Sequence, residues 1–599
     1  MALFTPSESP AVVVKEVDLT GGVPNVQSTT GAIVGNFRWG PVEQRTLIAN
    51  EAELVDNFAS PDSSNTVDFH SAAYYLRYSN SLQVVRAVTS AAKNARATTG
   101  QLAADSAGSL AAPTVKNKTD FDAQLAALDS NSHTFIARYP GELGNSLTVS
   151  MCPADSDAFE AWTYKSSFDK KPRTSVWAIA KNALLDEVHV VVVDRLGKFT
   201  GTSGTILETF PFLSVASDAK NIEGQNIYAP DYINERSSYI HMIDFDSDYK
   251  NPIYDSDVAV VSGYTQVAAG TTAESNYHFY NGKEAASTYT LSAGVNSGSL
   301  TTTEFATGHD LLEDKDIVEI DFLIAPGMTA RADQTTVVND LIATAGSLRK
   351  DCVVVASPAR NDIVNVTSAA TAVTNAVTTG NTFTSSSYLV MDGNYLKVYD
   401  KYNDQYIHIP AASSTAGIMA ATDLNRAPWF SPAGSRRGQY LGITSLAYTP
   451  TKTQRDTLYK ASVNPVANIP GSGVILFGDK THLGRVSAFD RINVRRLFLV
   501  LERAISRAAE SVMFEFNDEF TRAEFVNIVE PVLREVKGRR GITDFRVVCD
   551  ETNNTAAVVD RNEFIANIFI KPARSINYVT LNFVAVRTGV DFEEVVGTV

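Results

Sequence analysis

A break in the residue pattern most constrains how this chain of 599 residues can fold. Residues 21–88 carry β-branched strand patterns and helical patterns, whereas Ser, Thr, Ala, Asp and Gly dominate residues 89–346, where the predicted strands are short. The first pattern resumes at residue 347 and continues to residue 483. Because the entropic cost of closing a loop rises slowly with its length, a surface loop tolerates the insertion of a whole domain. We therefore predict a middle core domain, residues 21–88 plus 347–483, interrupted by one or two β-rich domains.

The most regular patterns lie in residues 484–587. Apolar residues recur there at steps of three and four, which predicts one amphipathic helix over residues 492–514. A second helix is predicted to open at Thr521 with a Thr-x-x-Glu capping box and to bend at Pro531. Three predicted strands follow, the last of them at residues 578–586. Together with the middle domain, these patterns predict an α+β multidomain protein.

Both ends of the chain are predicted to be extended arms, residues 1–20 and 588–599. Gly21-Gly22 and Gly589 separate these arms from the rest of the chain. A short strand with no local hairpin partner must pair with a distant strand, and another chain can supply one. The alternative is that both arms are frayed termini. The strand-forming residues of the arms are Val12, Val13, Val14, Val17, Val590, Phe592 and Val595.

The composition excludes several classes of partner. The chain has 51 Lys and Arg against 67 Asp and Glu, a formal net charge of -16, which argues against nucleic acid as the main partner. Cys152, Cys352 and Cys549 are far apart, so neither a disulfide framework nor a thiolate zinc site is predicted, and a reducing compartment is expected. The N-terminus has no secretory pattern, and no run of about 18 apolar residues predicts a membrane span.

The sequence carries little that predicts chemistry. Gly471 and Gly473 begin a G-x-G-x-x-G pattern, but Leu476 occupies the third glycine position, and no phosphate-binding P-loop pattern occurs. The eight histidines lack metal-ligand spacing. We therefore predict no catalytic residue, no cofactor and no metal, and a protein that is not an enzyme. A hydrolase within the inserted region is the rival interpretation, because catalytic pairs form in space and one sequence does not exclude them.

One segment departs from the acidic character of the chain. Residues 485–540 contain 11 Lys and Arg against 9 Asp and Glu. Lys537, Arg539 and Arg540 cluster at the end of the second predicted helix, and Arg495 and Arg496 lie on the first. The three cations at the end of the second helix would satisfy its C-terminus, where the helix dipole attracts positive charge. The functional alternative is a basic contact surface for an acidic protein partner.

Longer motifs at both ends and through the second half of the chain are distinctive. Those of the N-terminal part are Phe37-Arg38-Trp39-Gly40-Pro41, Val84-Val85-Arg86-Ala87-Val88 and Tyr139-Pro140-Gly141-Glu142-Leu143-Gly144-Asn145. Those of the second half include Ser431-Pro432-Ala433-Gly434, Phe477-Gly478-Asp479-Lys480-Thr481, Phe489-Asp490-Arg491-Ile492-Asn493-Val494-Arg495-Arg496-Leu497, Arg546-Val547-Val548-Cys549-Asp550, Asp560-Arg561-Asn562-Glu563-Phe564 and Pro572-Ala573-Arg574-Ser575-Ile576-Asn577-Tyr578. In residues and in order, they resemble segments of the tail sheath proteins of contractile-tailed bacteriophages of the T-even-like group.

The resemblance implies an architecture for the chain. Residues 484–587 would form an inner sheath domain, an α/β domain to which both chain ends contribute, and residues 89–346 would face outward. The resemblance also implies hexameric rings, stacked helically around a tail tube, in which the arms add strands to the sheets of neighbouring copies. The basic residues Arg495, Arg496, Lys537, Arg539 and Arg540 then become candidates for contact with the tube.

The resemblance further implies a function. Contraction, triggered at the baseplate, would drive the tube through the host envelope for genome delivery. The partners would be other copies of the chain, the tail tube protein, and baseplate and tail terminator proteins, with no nucleic acid and no membrane among them. The protein would reside in the virion, and in the host cytoplasm during assembly. The alternative within the same structural class is the sheath of a bacterial contractile injection device.

Overall fold

The computed structural model describes the chain in separate stretches. These are residues 29–97, 112–131, 134–246, 249, 262–279, 285–510 and 512–575. The chain forms two compact units. The large unit comprises residues 27–426 and 432–490, and the small unit combines residues 427–431 with the chain from Arg491 onward.

The large unit begins with three strands and two helices, in the region where the sequence carries strand and helical patterns. Asn50 caps the first helix by accepting a hydrogen bond from the backbone N–H of Glu53 at 2.9 Å, which satisfies a free donor of the first turn. The elements are β1 (Gly31–Gly35), β2 (Arg45–Ile48), α1 (Glu51–Phe58), α2 (Thr66–Leu76) and β3 (Leu82–Arg86).

The inserted region forms one seven-stranded sheet with short helices around it. The sheet order is β8–β7–β6–β12–β4–β5–β9 and each neighbouring pair is antiparallel. Its seven strands are β4 (Arg96–Ala97), β5 (Phe135–Ala137), β6 (Leu147–Cys152), β7 (Glu187–Asp194), β8 (Thr205–Ser214), β9 (Ile240–Met242) and β12 (Ser287–Ser292). Two further short strands, β10 (Thr265–Gln266) and β11 (Tyr277–His278), pair parallel with each other. The helices are α3 (Lys118–Asn131), α4 (Ser156–Ala161), α5 (Val176–Ala180) and α6 (Ala229–Arg236).

The chain then returns to the core and completes its central sheet. The returning elements are α7 (Thr302–Asp310), β13 (Phe322–Ile324), α8 (Arg331–Ala343), β14 (Val353–Ala356), α9 (Arg360–Ile363), α10 (Ala369–Gly380) and β15 (Leu389–Met391). The six strands run in the order β15–β14–β13–β1–β3–β2, five of them parallel with β2 as an antiparallel edge. Every residue of β1, β13, β14 and β15 is buried, as parallel strands covered on both faces require.

This sheet shifts the predicted end of the insertion. β13 lies beside β1 at the centre of the sheet, although the sequence places it in the inserted residues 89–346. Helix α7 also packs on the sheet, since a Cβ on Gly308 would lie 2.4 Å from Cγ1 of Val34. The core therefore resumes at about Thr302, before residue 347. A three-residue strand and helices with polar outer faces share the composition of the insertion, which conceals the change.

A smaller sheet and a hairpin complete the large unit. Strand order β17–β16–β18 makes an antiparallel sheet, and β19 pairs antiparallel with β20. These elements are β16 (Tyr395–Asp400), β17 (Gln405–Pro410), α11 (Ala412–Asn425), β18 (Ser445–Leu446), α12 (Lys452–Lys460), β19 (Val466–Ile469) and β20 (Gly473–Leu476).

The small unit consists of two long helices and a β-hairpin. Its elements are α13 (Ile492–Glu510), α14 (Glu519–Gly538), β21 (Ile542–Val548), α15 (Ala556–Val559) and β22 (Asn567–Pro572). Helix α13 ends before the predicted residue 514, where Phe514 adopts a left-handed conformation with φ 71°. The predicted capping box at Thr521 is wrong: Asp518 is the N-cap and accepts from the backbone N–H of Thr521 at 2.9 Å. Helix α14 continues through Pro531.

Candidate assembly surface

The small unit has its own hydrophobic core, which holds its surface features in place. Leu497 and Leu501 of α13 pack with Phe525, Val529 and Leu533 of α14 in this core. The apolar stripe that predicts α13 is thus buried in part, since Leu501 is buried while Phe498 and Ile505 are half-buried. Trp429, from the short segment that joins this unit, belongs to the same core, and its indole N–H donates to the carbonyl oxygen of Arg539 at 3.1 Å.

The basic end of the small unit, defined as Lys537, Arg539 and Arg540, lies where α14 finishes. All three side chains are exposed. The Arg539 guanidinium lies 5.0 Å from the centre of the Trp429 ring, a cation–π contact, and pairs with Glu535 at 3.3 Å. Lys537 Nζ lies 3.1 Å from the Asp544 carboxylate. The positive charge thus gathers at a helix C-terminus, as the dipole favours, and remains accessible to a partner.

The other two predicted tube-contact residues are placed differently. Arg495 and Arg496 are 7% and 4% exposed on α13. Burial raises the pKa of Glu502, and the positive charge of Arg495 partly offsets that rise. Because these two guanidinium groups are buried, they do not share the exposure of the basic end.

An aromatic segment, residues 513–520, connects α13 to α14 and was missed by the sequence reasoning. Phe514, Phe516 and Phe520 are 104%, 85% and 85% exposed. Asn517 anchors the backbone of the segment, because its amide donates to the Glu563 carbonyl oxygen at 2.8 Å. Exposed aromatic side chains this closely spaced are typical of a surface that a protein partner covers. The alternation of phenylalanine with acidic and amide residues was the available signal.

The hairpin of β21 and β22 is a further surface on which another chain could add a strand. Within the stretches that the structure describes, each of these strands pairs only with the other. Side chains of β22 alternate between exposed and half-buried, and Phe569 is 59% exposed. A two-stranded sheet is marginal alone, and a strand edge that is unpaired offers its N–H and C=O groups to an added strand.

The remaining predicted site residues have no described position. Val12, Val13, Val14, Val17, Val590, Phe592 and Val595, with the strand predicted at 578–586, lie outside the described residues. In the described part of the chain, no group of three or more His, Cys, Asp or Glu is arranged to hold a metal ion. Of the helices that are described, none has the length and apolarity needed to cross a membrane.

Known sheath proteins share both the sequence and the fold of this chain. The family described as phage tail sheath protein central domain matches residues 306–482, and the phage tail sheath C-terminal domain matches residues 486–585. The tail sheath protein of Enterobacteria phage T4 is 32% identical, across 98% of this chain and 99% of its own length. That of Vibrio phage KVP40 is 31% identical across 98% and 99%.

Solved structures agree on the fold. A sheath tail protein from Listeria innocua superposes with a TM-score of 0.53 at 11% identity, covering 92% of this chain and 93% of that one. One from Desulfitobacterium hafniense gives a TM-score of 0.50 at 12% identity, covering 94% and 100%. The chain therefore has the fold of these sheath tail proteins. The chain belongs to the tail sheath protein family of T4-like contractile-tailed phages, structural proteins of the virion.

Proposed function

We propose that this protein polymerises as stacked hexameric rings around a tail tube and contracts to drive the tube through the host envelope. The observation that carries the proposal is the hairpin of β21 and β22, whose outer edges are unpaired in the described chain. An open edge favours aggregation unless assembly uses it. A neighbouring copy that supplies strands to these edges, and covers the aromatic segment, would link the copies into a polymer.

The arms are the strands that we propose for this role. Val12, Val13, Val14 and Val17 have strong strand propensity, and Gly21-Gly22 frees them from the body of the chain; Val590, Phe592 and Val595 follow Gly589 in the same way. Main-chain hydrogen bonds of a donated strand do not depend on how the globular bodies pack. Copies could therefore rotate and slide during contraction without separating.

Deletion of residues 1–19, or of residues 589–599, tests this role. We expect each shortened protein to melt close to the full chain yet to form no long striated tubes in electron micrographs. A matched pair of single substitutions sharpens the test: Val13→Pro removes an N–H donor from the donated strand, whereas Ser7→Pro falls between Pro6 and Pro10, outside it. Normal tubes from both deletions would rule out the linked polymer.

The basic end of the small unit is the surface that we propose for the tube. Its exposed cations suit an acidic partner through contacts that are polar and modest, which a sliding contact requires. Lys537→Glu with Arg540→Glu should weaken co-sedimentation of sheath with tube while sheath polymers without a tube still form. Lys220→Glu with Lys315→Glu is the control, since it reverses the same number of charges on exposed residues of the large unit. If the control and the pair retain equal tube binding, another surface contacts the tube.

The energy of contraction should reside in interfaces between copies. No nucleotide or metal site is part of the proposal, so contraction should proceed in a chelator and without nucleotide. The further partners are baseplate and tail terminator proteins, and assembly would take place in the host cytoplasm. The sheath of a bacterial injection device is the alternative; relatives matched over nearly the whole chain belong to phages, which favours the phage tail.

A further inference from the structure

A buried arginine, Arg86, is hydrogen-bonded to both the central core and the inserted domain. Arg86 is the last residue of β3 and is 1% exposed. Its guanidinium donates to the backbone carbonyl oxygens of Phe37, Gly40 and Arg38 at 2.8, 2.7 and 3.4 Å. A fourth bond, at 2.6 Å, reaches the carbonyl oxygen of Pro140 in the inserted domain. One side chain thus joins a core strand, a core loop and the insertion.

Trp39 completes the same junction from the opposite direction. It lies in the loop that follows β1, yet its side chain packs within the hydrophobic core of the inserted domain and is 4% exposed. The indole makes edge-on contacts with Tyr139 and Phe199, with ring centres 5.4 and 5.1 Å away. An aromatic side chain of the core is therefore a structural part of the insertion.

The two connecting segments are also bound to each other. Lys93, on the way into the insertion, and Val295, on the way out, exchange both backbone hydrogen bonds at 3.0 Å. The backbone N–H of Thr89 donates to Ser297 Oγ at 2.9 Å. Gly141 has φ 141° and donates its N–H to the Lys93 carbonyl oxygen at 3.0 Å. A Cβ there would lie 3.1 Å from the Arg38 carbonyl oxygen and 3.3 Å from Asn296 Oδ1, so glycine permits the close approach.

We propose that Arg86 and Trp39 make the junction between core and insertion a rigid joint, so that the inserted domain moves with the central sheet as one body. Domains joined by two flexible linkers ordinarily move relative to each other. Here the linkers are paired, and the joint is held by charge-assisted hydrogen bonds in a buried site, where such bonds are strong and leaving their acceptors unpaired is costly. Burial lowers the pKa of Arg86 to about 9, so the guanidinium stays charged at neutral pH.

Arg349 offers a matched control within the same unit. It is 2% exposed, and its guanidinium donates to the carbonyl oxygens of Leu312 and Val318, each at 2.8 Å, and to Asp351. All these partners belong to the core. Arg349→Lys therefore removes a comparable buried network without touching the joint. Arg86→Lys keeps the charge of the joint but cannot serve four carbonyl oxygens from a planar fork.

Hydrogen exchange of the full chain, read by mass spectrometry, tests the proposal. In Arg86→Lys we expect exchange to accelerate roughly 10- to 100-fold in residues 37–43, 89–95, 139–145 and 293–298, with the strands of both domains protected. Limited proteolysis should then release the insertion as an intact fragment. Arg349→Lys should accelerate exchange near residues 312–318 and leave the joint unchanged. The milder Trp39→Phe should loosen the joint in the same segments, which keeps the test valid if Arg86→Lys fails to fold. Exchange at the joint that equals the unaltered protein in both variants, or that rises equally in Arg349→Lys, would overturn the rigid joint.

Discussion

The central sheet of the large unit and the hairpin of the small unit differ in how far they bury their apolar side chains. Strands β1, β13, β14 and β15 are buried along their whole length, and helices such as α7 pack directly on them. The hairpin exposes Phe569, and the nearby aromatic segment exposes Phe514 and Phe516 almost fully. Within the described residues, the large unit buries its central sheet, whereas the small unit exposes large aromatic side chains and two strand edges. Stability should therefore depend on the first, and assembly on the second.

A matched pair of phenylalanine substitutions should break this comparison most strongly. Phe322 in β13 is 0% exposed, so Phe322→Ala should lower the free energy of unfolding by about 3–5 kcal/mol through lost burial and the cavity left behind. Phe516→Ala, at 85% exposure, should change it by no more than about 0.5 kcal/mol. Guanidinium unfolding of the soluble protein measures both. Similar losses would mean that the aromatic segment is covered within its own chain.

Asp392 gives the second largest expected effect, and it depends on pH. This carboxyl group follows β15 and is 0% exposed, and it accepts hydrogen bonds from Ser357 Oγ at 2.7 Å and Thr415 Oγ1 at 3.0 Å. Burial raises its pKa from 3.8 to about 7. Because the folded state binds the proton more tightly, the stabilisation is full below the unfolded pKa and is lost as pH rises through the folded value.

Asp392→Asn should remove this dependence, since asparagine does not titrate. Its Oδ1 replaces one of the two acceptor oxygens, and its amide N–H replaces the proton that the buried carboxyl group carries. From about pH 4 to about pH 7, the unaltered protein should lose stability relative to the variant by on the order of 1–3 kcal/mol. Urea unfolding at several pH values measures the difference, in which the other titrating groups cancel. Parallel stability curves for the two proteins would contradict a raised pKa at Asp392.

The sequence predicts local elements better than it predicts their partners. The pattern of residues 51–58 predicts a short helix, and α1 has the same bounds, Glu51–Phe58, because its Asn50 cap and apolar spacing are local signals. β13 was assigned to the insertion because three apolar residues in a polar context acquire their meaning only from β1 and β14 beside them. The end of α13 was predicted four residues late, since the left-handed backbone of Phe514 is not a conformation that phenylalanine favours.

The candidate site shows the same division. The clustering of Lys537, Arg539 and Arg540 at a helix end is visible in the sequence, and the structure places them there. Arg495 and Arg496 belong to the same basic count, but tertiary packing buries them. The three N-terminal motifs carried the family resemblance without showing why they occur together. In the structure they meet at Arg86, whose hydrogen bond to Pro140 spans 54 residues of sequence, a contact that no local pattern predicts.

The smallest expected effect concerns the ion pair of Lys537 and Asp544 at the basic end. The hydrogen bond from Lys537 is the first cause that lowers the pKa of Asp544, so any stabilisation exists above the unfolded pKa and is lost as pH falls through the folded one. Both side chains are about half exposed, and water and salt screen such pairs. A double-mutant cycle of Lys537→Ala and Asp544→Ala should find little coupling, and none in about 1 M salt.

Tube co-sedimentation should separate the two residues: Lys537→Ala weakens it, whereas Asp544→Ala, which frees the lysine, preserves or strengthens it. Strong coupling in the cycle with unchanged tube binding would contradict this prediction. The pair of Lys537 and Asp544 would then stabilise the fold of the small unit and would not contribute to tube binding.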